Sequence, residues 1–238
     1  MEQRSIGQFF DTATPRPVEL DRSVGVQIFE ALKLAILRME IAPGALISET
    51  EVGRLFAASR TPVREALAQL RAAGLVVTQV GRGNFATKLS QQRIKEAQFI
   101  REALELGNVA ALCQNGLDPT HRAALQHNLE TQKNCMTAGD KLGFQAVDDQ
   151  FHMILAQATG HPRMAHILER EKMALDRLRV LSLDVADQMG QLHAEHLAIF
   201  QAIDAGEDAS ARRRMETHLR SVLTTLADVA DRHEEYFA

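Results

Sequence analysis

The sequence is poor in several residue types, and each shortage excludes a class of protein. It contains no tryptophan, one tyrosine and two cysteines, Cys113 and Cys135, in 238 residues. Two cysteines are too few for a disulfide framework or a four-thiolate zinc site, and they favour a reducing compartment. Six prolines and fourteen glycines are too few for a collagen-like or low-complexity chain.

Long apolar runs are also missing. No run approaches the roughly 18 apolar residues that a membrane helix needs. The N-terminus carries Glu2, Arg4 and Asp11 and lacks the apolar core of a signal peptide, so we expect neither secretion nor a membrane span. Hydrophobic residues still make up 45% of the chain, with Ala and Leu prominent. We therefore expect one large or two modest globular domains, rich in helix.

Charge is unevenly distributed along the chain. Residues 1–89 hold eleven Lys or Arg and nine Asp or Glu, whereas residues 90–238 hold sixteen and twenty-two. Between residues 58 and 89, five basic side chains accompany a single acid, Glu65. Such a stretch is typical of a polyanion-binding module, although charge alone favours an ordinary solvated face.

The first part of the chain has the element order of a winged helix-turn-helix. Residues 1–22 show no apolar period and contain two prolines, so we predict an N-terminal arm there. Apolar spacing predicts helices over 24–39, 48–57 and from Ser59 to Gly74, with Ser23, Ser48 and Ser59 as N-caps. A β-hairpin follows over 75–89. We assign residues 23–89 to this DNA-binding fold.

Beyond residue 90 the pattern is helical throughout. It predicts six helices, near 90–115, 119–138, 141–159, 162–188, 191–205 and 208–236. The predicted breaks are Gly116, Gly139, Gly160, Gly190 and Gly206. The predicted fold is therefore mainly α: an N-terminal winged helix-turn-helix followed by a six-helix all-α bundle over residues 90–238.

The start of the third helix carries the side chains that DNA recognition needs. Arg60 and Arg64 share a helical face, and an arginine can donate two hydrogen bonds to guanine in the major groove. At the hairpin tip, Arg82 suits the minor groove or a phosphate. A basic helix turn with an ordinary hairpin is the alternative for each element alone. The predicted DNA-binding residues are Ser59, Arg60, Thr61, Arg64, Gly81, Arg82 and Gly83.

Four polar residues on apolar helical faces form a candidate metal site. His152 lies four residues after Asp148, so both leave one face of a helix. His196 and His218 interrupt apolar stripes on two other helices, where each needs a partner inside the bundle. Any one of them alone is more often an ordinary core histidine. Together, three imidazoles and a carboxylate suit zinc, nickel, manganese or iron.

Arg101 is the candidate effector-binding residue. It shares a helical face with Ala97, Leu104 and Asn108. A guanidinium on such a stripe can hold a carboxylate in a pocket. A salt bridge to a neighbouring acid, including Glu105, is an equally good interpretation.

The first domain resembles a known family over about residues 24–89. The matching residues are Pro43-Gly44, Leu46, Glu49, Val52, the run Ser-Arg-Thr-Pro-Val-Arg-Glu-Ala-Leu from Ser59, Leu70, Gly74-Leu75-Val76 and Gly81-Arg82-Gly83. They resemble the DNA-binding domain of GntR-family bacterial transcription regulators. The resemblance implies that the start of the recognition helix and the wing glycines contact DNA. Thr50 stands where some members have a base-reading arginine.

The second domain resembles the FCD effector domain of the FadR-like GntR subgroup over roughly residues 90–232. The matching residues are Arg101 with Glu105, Asp148 with Phe151-His152, His196 with Ile199, and His218. The resemblance implies small carboxylic acids as ligands, often completed by the metal. Six helices are closer to the metal-containing branch than to the acyl-CoA-binding one.

These observations predict a ligand-responsive transcription regulator. We expect a homodimeric repressor on double-stranded operator DNA, released by a small carboxylic acid bound near one divalent ion, zinc first. Its place would be the bacterial cytoplasm, at the nucleoid when bound to DNA. The alternative is a metal-dependent all-α hydrolase with a nucleic-acid-binding module. Hydrolase and phosphate-binding motifs are missing, so we expect no enzyme.

Overall fold

The computed structural model describes residues 21–182 and 188–238, which form two compact units. The first unit comprises residues 21–90 with 233–238, and the second lies within residues 91–232. Residues 1–20 of the predicted N-terminal arm lie outside the described residues. The structure differs from the predicted domain boundary at the C-terminus, because the last six residues belong with the first unit.

In the part of the first unit that the structure describes, three α-helices and a small sheet form the winged helix-turn-helix. The elements are α1 (Val24–Leu37), β1 (Leu46–Ile47), α2 (Glu49–Leu55), α3 (Arg60–Ala72), β2 (Val76–Gln79) and β3 (Gly83–Ala86). The sheet order is β1-β3-β2 and both strand pairs are antiparallel, with Phe85 opposite Leu46 on one side and Val77 on the other. The sequence did not predict β1, because two residues are too short to show an alternating pattern.

Apolar packing holds α3 in place. Ile28 and Leu32 of α1 and Leu67 and Leu70 of α3 are fully buried in one core. This packing fixes which face of α3 is presented to solvent. The Ser48 side chain accepts a hydrogen bond from the Glu51 N–H at 3.4 Å and so caps α2 as predicted. Ser23 and Ser59 occupy the N-cap positions of α1 and α3, but their side chains make no cap hydrogen bond.

The C-terminal segment returns to the first unit through backbone hydrogen bonds. Leu89 N–H donates to the Tyr236 carbonyl, and Ala238 N–H donates to the Leu89 carbonyl, both at 2.9 Å. Lys88 Nζ donates to the Phe237 carbonyl at 3.1 Å. Phe237 is itself buried. The predicted extension of the last helix to residue 236 is therefore wrong: the helix ends at Arg232, because residues 233–238 make these contacts with the first unit instead.

The described residues of the second unit form six helices. They are α4 (Gln91–Asn115), α5 (Pro119–Ala138), α6 (Lys141–Ala158), α7 (Pro162–Ser182), α8 (Gln188–Asp204) and α9 (Asp208–Arg232). The predicted break at Gly190 is wrong, because α8 runs through it; a single helical glycine costs only about 1 kcal/mol relative to alanine. None of the described helices is long and apolar enough to cross a membrane.

The helices of the second unit pack around an apolar core that contains polar side chains. α4 packs on α9 and α7, and α5 packs on α6 and α8. Phe151, Ile199 and Met215 are fully buried in this core. Among them lie buried polar residues from all six of the described helices of this unit: Gln98, Arg101, Glu105, Asn108, Asn128, Gln132, Asp148, His152, Asp176, Arg177, His196 and His218. This concentration of buried polar groups marks the interior of the unit as a candidate site.

Candidate functional site

The start of α3 presents an exposed basic surface. Ser59, Arg60, Thr61 and Arg64 are all exposed, because the apolar face of the helix is turned into the core. Arg64 Nε donates to Glu49 Oε2 at 2.9 Å while 62% of the Arg64 side chain remains exposed. The α2 carboxylate therefore orients the arginine without covering it.

The wing turn between β2 and β3 presents Arg82. Its guanidinium carbon lies 5.8 Å from the centre of the Phe85 ring, within cation–π range. Gly83 has φ 114°, a backbone conformation that disfavours any residue with a side chain, and a Cβ there would crowd Leu46 Cδ1 at 3.1 Å. Gly81, at φ 73°, faces open space. Thr50 is exposed on α2.

A polar contact missed by the sequence analysis ties the wing to α3. Asn84 Oδ1 accepts hydrogen bonds from Thr78 Oγ1 at 2.7 Å and from Arg71 Nη1 at 3.3 Å. Asn84 lies on β3, Thr78 on β2 and Arg71 on α3. The contact therefore fixes the hairpin relative to the candidate recognition helix.

The four predicted metal ligands converge inside the second unit. Asp148 and His152 come from α6, His196 from α8 and His218 from α9, and all four are buried. One ligand atom from each lies within 4.8 Å of all the others. The Nε2 atom of His218 lies 3.2 Å from Nε2 of both His196 and His152. Aromatic stacking of Phe151 on His196, with ring centres 4.3 Å apart, holds that imidazole in place.

A chain of hydrogen bonds fixes the tautomer of His196. Asn128 Nδ2 donates to the Val147 backbone carbonyl oxygen at 2.9 Å. Because a carbonyl oxygen can only accept, the orientation of the Asn128 amide is fixed. Asn128 Oδ1 therefore faces Gln132 and accepts from its Nε2 at 2.7 Å. Gln132 Oε1 in turn lies 2.9 Å from His196 Nδ1, so Nδ1 carries the proton. The lone pair of His196 Nε2 must then face the other imidazoles.

Carboxylates impose the same tautomer on the other two histidines. His152 Nδ1 donates to Glu105 Oε2 at 2.5 Å, and His218 Nδ1 donates to Glu195 Oε2 at 2.8 Å. Burial alone would raise the pKa of Glu105, but the charges of Arg101 and His152 lower it to about 2. Each imidazole thus directs an unprotonated Nε2 toward a common centre, the arrangement in which metal-binding histidines are held.

The electrostatics of the site disfavour protonated histidines. Burial lowers the pKa of His218 to about 4. The pKa of His196 falls well below its ordinary value through burial and the neighbouring charges of His218 and His152. Burial also lowers the pKa of His152. Near neutral pH the three nitrogens are therefore lone-pair donors that repel one another unless a cation lies between them.

The donor set fits a divalent metal. Tetrahedral zinc bound at its usual distance of about 2.0–2.1 Å would place neighbouring nitrogens about 3.3–3.4 Å apart, close to the 3.2 Å found here. Asp148 Oδ1 lies 3.6 Å from His196 Nε2. Neither carboxylate oxygen of Asp148 accepts a hydrogen bond within the described residues, although Oδ2 forms an ion pair with Arg179. A buried carboxylate of this kind is suited to ligate a cation.

Arg101 lies beside the four candidate ligands. Its Nε donates to Glu105 Oε1 at 2.5 Å, so the predicted salt bridge is present. Arg101 also lines a cavity of about 40 Å³ together with Asp148, His218 and Arg179. Arg101 thus makes the salt bridge and also lines a cavity, and its binding of a carboxylate ligand stays a prediction.

The sequence patterns of two families match the chain. The FCD domain matches residues 96–221, and the pattern of bacterial regulatory proteins of the gntR family matches residues 25–85. The chain belongs to the GntR family. This GntR chain is 36% identical to an uncharacterised HTH-type transcriptional regulator in an unstable DNA locus of Streptomyces ambofaciens, over 89% of this chain and 88% of the relative.

Two further comparisons support the assignment. The HTH-type transcriptional repressor RspR of Escherichia coli K12 is 30% identical, over 90% of this chain and 94% of the relative. The solved structure of E. coli McbR/YncC shares the fold, with a TM-score of 0.73, 20% identity, and coverage of 89% of this chain and 99% of that one. This GntR protein is accordingly a transcription regulator that binds operator DNA. Nothing in these comparisons supports the alternative of an all-α hydrolase.

Several residues that surround the four candidate metal ligands of this GntR protein were not recognised from the sequence. Gln132 and Glu195 hold histidines, but a single polar residue in a helix gives no signal of that role. Arg179 lies in a charged stretch that is typical of a solvated helix face, yet its side chain is only 13% exposed. The pairing of Arg101 with Glu105 was recognisable, because four residues separate them on one helix.

Proposed function

We propose that the protein is a homodimeric repressor that a small carboxylic acid releases from operator DNA. The acid would bind at Arg101 beside one divalent ion held by Asp148, His152, His196 and His218. The convergence of three unprotonated imidazole nitrogens and a buried carboxylate beside Arg101 carries this proposal.

The DNA contacts would come from the exposed start of α3 and from the wing. Arg60 and Arg64 would read base edges in the major groove, with Ser59 and Thr61 on phosphates or bases. Arg82, between Gly81 and Gly83, would meet the backbone or the minor groove. The exposure of Arg64 and its orientation by Glu49 support a base-reading role.

Arg64→Ala tests this interface. A base-reading arginine contributes about 1–3 kcal/mol, so operator affinity should fall by roughly 5- to 150-fold. The surface ion pair with Glu49 contributes at most about 1 kcal/mol to stability, so the variant should remain folded. A gel shift on DNA upstream of the gene measures the affinity, and circular dichroism checks the fold. Unchanged affinity in a folded variant would rule out the assigned role.

Zinc is the first choice of metal, because three imidazoles and one carboxylate match its preferred ligands; nickel, manganese and iron accept the same set. A bound ion would supply positive charge and a coordination position to an acid. Arg101 would orient that acid through charge-assisted hydrogen bonds. Occupancy of the cavity would alter the packing of α4, α6 and α9, and through them how a dimer presents its two winged units to DNA.

His196→Ala tests the metal centre. Elemental analysis of the purified wild type should find about one divalent ion per chain, and the variant should contain less. Chelation should lower the melting temperature of the wild type, because a ligand that binds only the folded state stabilises it. A wild type without metal after zinc-supplemented purification, and insensitive to chelator, would make the three histidines ordinary core residues.

The remaining parts of the proposal follow from the mode of DNA binding. A two-fold dimer doubles the contact of one winged unit on a palindromic operator, and light scattering at micromolar concentration should report twice the 26.4 kDa chain mass. We place the protein in the bacterial cytoplasm with its operator, at the nucleoid when bound. We expect it to have no enzymatic turnover.

A further inference from the structure

Another cavity of the helical unit lies outside the one that Arg101 lines. It is an open groove of about 350 Å³ between α8 and α9, a volume within the range of small-molecule sites. Neither Arg101 nor any of the four candidate metal ligands lines it. Its lining residues are Glu195 and Ala198 of α8 with Ser210, Arg213, Arg214 and Thr217 of α9.

The α9 wall of the groove is one polar face of a helix. Its residues follow the spacing i, i+3, i+4 and i+7, which places their side chains next to one another: Ser210, Arg213, Arg214 and Thr217. Arg214 Nε donates to Ser210 Oγ at 3.3 Å, which leaves the two terminal nitrogens of that guanidinium as donors. Two cationic groups and two hydroxyl groups therefore line the same groove.

The positive charge of this face is not neutralised within the residues that the structure describes. Arg213 has no ion pair or hydrogen bond there, and Arg214 has only its bond to Ser210. Other exposed arginines of the unit do meet acids: Arg220 pairs with two glutamates at 2.6 Å, and Arg122 with an aspartate at 2.9 Å. Two adjacent unpaired cations in one groove attract anions, although residues 90–238 as a whole are acidic.

The acidic residue that lines the groove, Glu195, already has other partners. Its Oε2 accepts from His218 Nδ1 at 2.8 Å, and its Oε1 accepts from Gln191 Nε2 at 3.0 Å. Neither arginine of the groove donates to it. Glu195 therefore does not pair with them, and an anion from solution is the partner that fits the groove.

A phosphate group matches these donors better than a carboxylate does. A phosphomonoester carries about −1.5 to −2 charges near pH 7 and three acceptor oxygens, so it can balance both guanidinium groups and still accept from a hydroxyl group. Arginine binds phosphate oxygens through parallel pairs of N–H donors. A carboxylate has a single charge and two oxygens, so it would balance one arginine. The 350 Å³ of the groove also leave room for an organic group attached to the phosphate.

We propose that the groove between α8 and α9 binds a small phosphomonoester, with its phosphate held by Arg213 and Arg214 and by the hydroxyl groups of Ser210 and Thr217. This site is separate from the proposed acid site and does not depend on it. The regulator would then respond to a second class of ligand.

Calorimetric titration of the full-length protein tests the proposal. The probes are glycerol 3-phosphate, glucose 6-phosphate and inorganic phosphate, and glucose is the neutral control. At least one ester should bind the wild type more tightly than inorganic phosphate does, and glucose should not bind. Inorganic phosphate that binds as tightly as both esters would leave no role for an organic group and would overturn the phosphomonoester. Absence of binding by all three phosphates to folded protein would overturn the site itself.

Arg212 provides a matched control for the two arginines of the groove. It is exposed and adjacent in sequence, but it does not line the groove. Arg213→Gln and Arg214→Gln should each weaken ester binding by roughly 10- to 150-fold, the effect of one charge-assisted hydrogen bond, whereas Arg212→Gln should keep the wild-type affinity. Equal losses in all three variants would indicate unspecific attraction and contradict the proposal. Circular dichroism checks that each variant folds.

Two further measurements separate this groove from the candidate metal centre and from Arg101. Ester affinity should be the same before and after treatment with chelator, and the same in Arg101→Gln, because neither the candidate ligands nor Arg101 line the groove. An ester that loses affinity in Arg101→Gln or after chelation, but not in Arg213→Gln, binds in the other cavity and overturns the proposal. Failure of the acid effector alone would leave the ester result intact.

DNA is the other polyanion that these arginines can meet. In a gel shift without added phosphomonoester, Arg213→Gln should bind operator DNA as tightly as the wild type. A loss of operator affinity in Arg213→Gln, together with absence of ester binding by the wild type, would place the arginines on DNA and refute the ligand site.

Discussion

Gln132→Leu should weaken metal binding although the side chain does not touch the metal position. Gln132 is fully buried and accepts the Nδ1–H of His196. Its removal leaves that proton without an acceptor and frees the imidazole to adopt the other tautomer, in which Nε2 is protonated. Partners of ligating histidines typically contribute 10- to 100-fold in metal affinity, which corresponds to about 1.4–2.7 kcal/mol.

The weaker zinc binding of Gln132→Leu should also appear as a smaller rise in melting temperature when zinc is added. With zinc at about 100 times the wild-type Kd, binding stabilises the folded state by about 2.7 kcal/mol. A 10- to 100-fold weaker site reduces this to about 0.4–1.4 kcal/mol under the same conditions. At roughly 2–4 °C per kcal/mol, zinc should raise the melting temperature by roughly 5–11 °C in the wild type. The corresponding rise in Gln132→Leu is roughly 1–6 °C.

Gln98→Leu is the matched control. Gln98 is also a buried helical glutamine, but neither its Nε2 nor its Oε1 has a hydrogen-bond partner in the described part of the chain. This variant should keep wild-type zinc affinity and melt at the same temperature or higher without metal. Asn128 accepts a hydrogen bond from Gln132 and does not contact His196 itself, so Asn128→Leu should cause a smaller loss of zinc affinity than Gln132→Leu. Competition with a fluorescent chelator measures affinity independently of melting, and wild-type affinity in folded Gln132→Leu would refute the tautomer argument.

Three further outcomes follow from the same structure. Arg82→Ala should weaken DNA binding about equally on specific and random sequences and reduce the slope of log affinity against log salt by about 1, as measured by anisotropy titrations. Glu49→Gln, which weakens the hold on Arg64, should lower operator discrimination by less than Arg64→Ala does, as competition with random DNA would show. In the folded protein the pKa of His218 is about 4, below the ordinary value of 6.5, so the unfolded chain binds the proton more readily. The free energy of unfolding of the metal-free protein should therefore fall as the pH is lowered from about 6.5 to 4. Samples treated with chelator should have a lower melting temperature at pH 5 than at pH 7.

The helical framework and the clustering of the four candidate ligands could be predicted because periodicity carries that information. A histidine that interrupts an apolar stripe must find a polar partner in the interior, and three such stripes together suggest one shared partner. The i, i+4 spacing of Asp148 and His152 added the carboxylate. All four side chains lie together in the structure, as their patterns required.

The supporting residues could not be predicted because their roles depend on tertiary contacts. Gln132 reaches His196 across 64 positions of sequence, and nothing in its local pattern differs from a solvated glutamine. The sequence around Arg179 is typical of an exposed, charged helix face, and its burial follows only from the packing of α7 against α6. β1 exists only because β3 lies beside it, and the interruption predicted at Gly190 fails because helix packing outweighs one unfavourable residue.

Because residues 233–238 pack on the winged unit, that unit cannot complete its contacts until these residues have been synthesised. Lys88 and Phe237 lie 149 positions apart, and at about 5–20 residues per second the ribosome needs roughly 7–30 s to make the intervening chain. Throughout this time the edge at Leu89 has no partner, while the helical unit can fold in between. The hydrogen bond from Ala238 N–H to the Leu89 carbonyl closes this contact, so a tag fused directly after Ala238 would lie next to it.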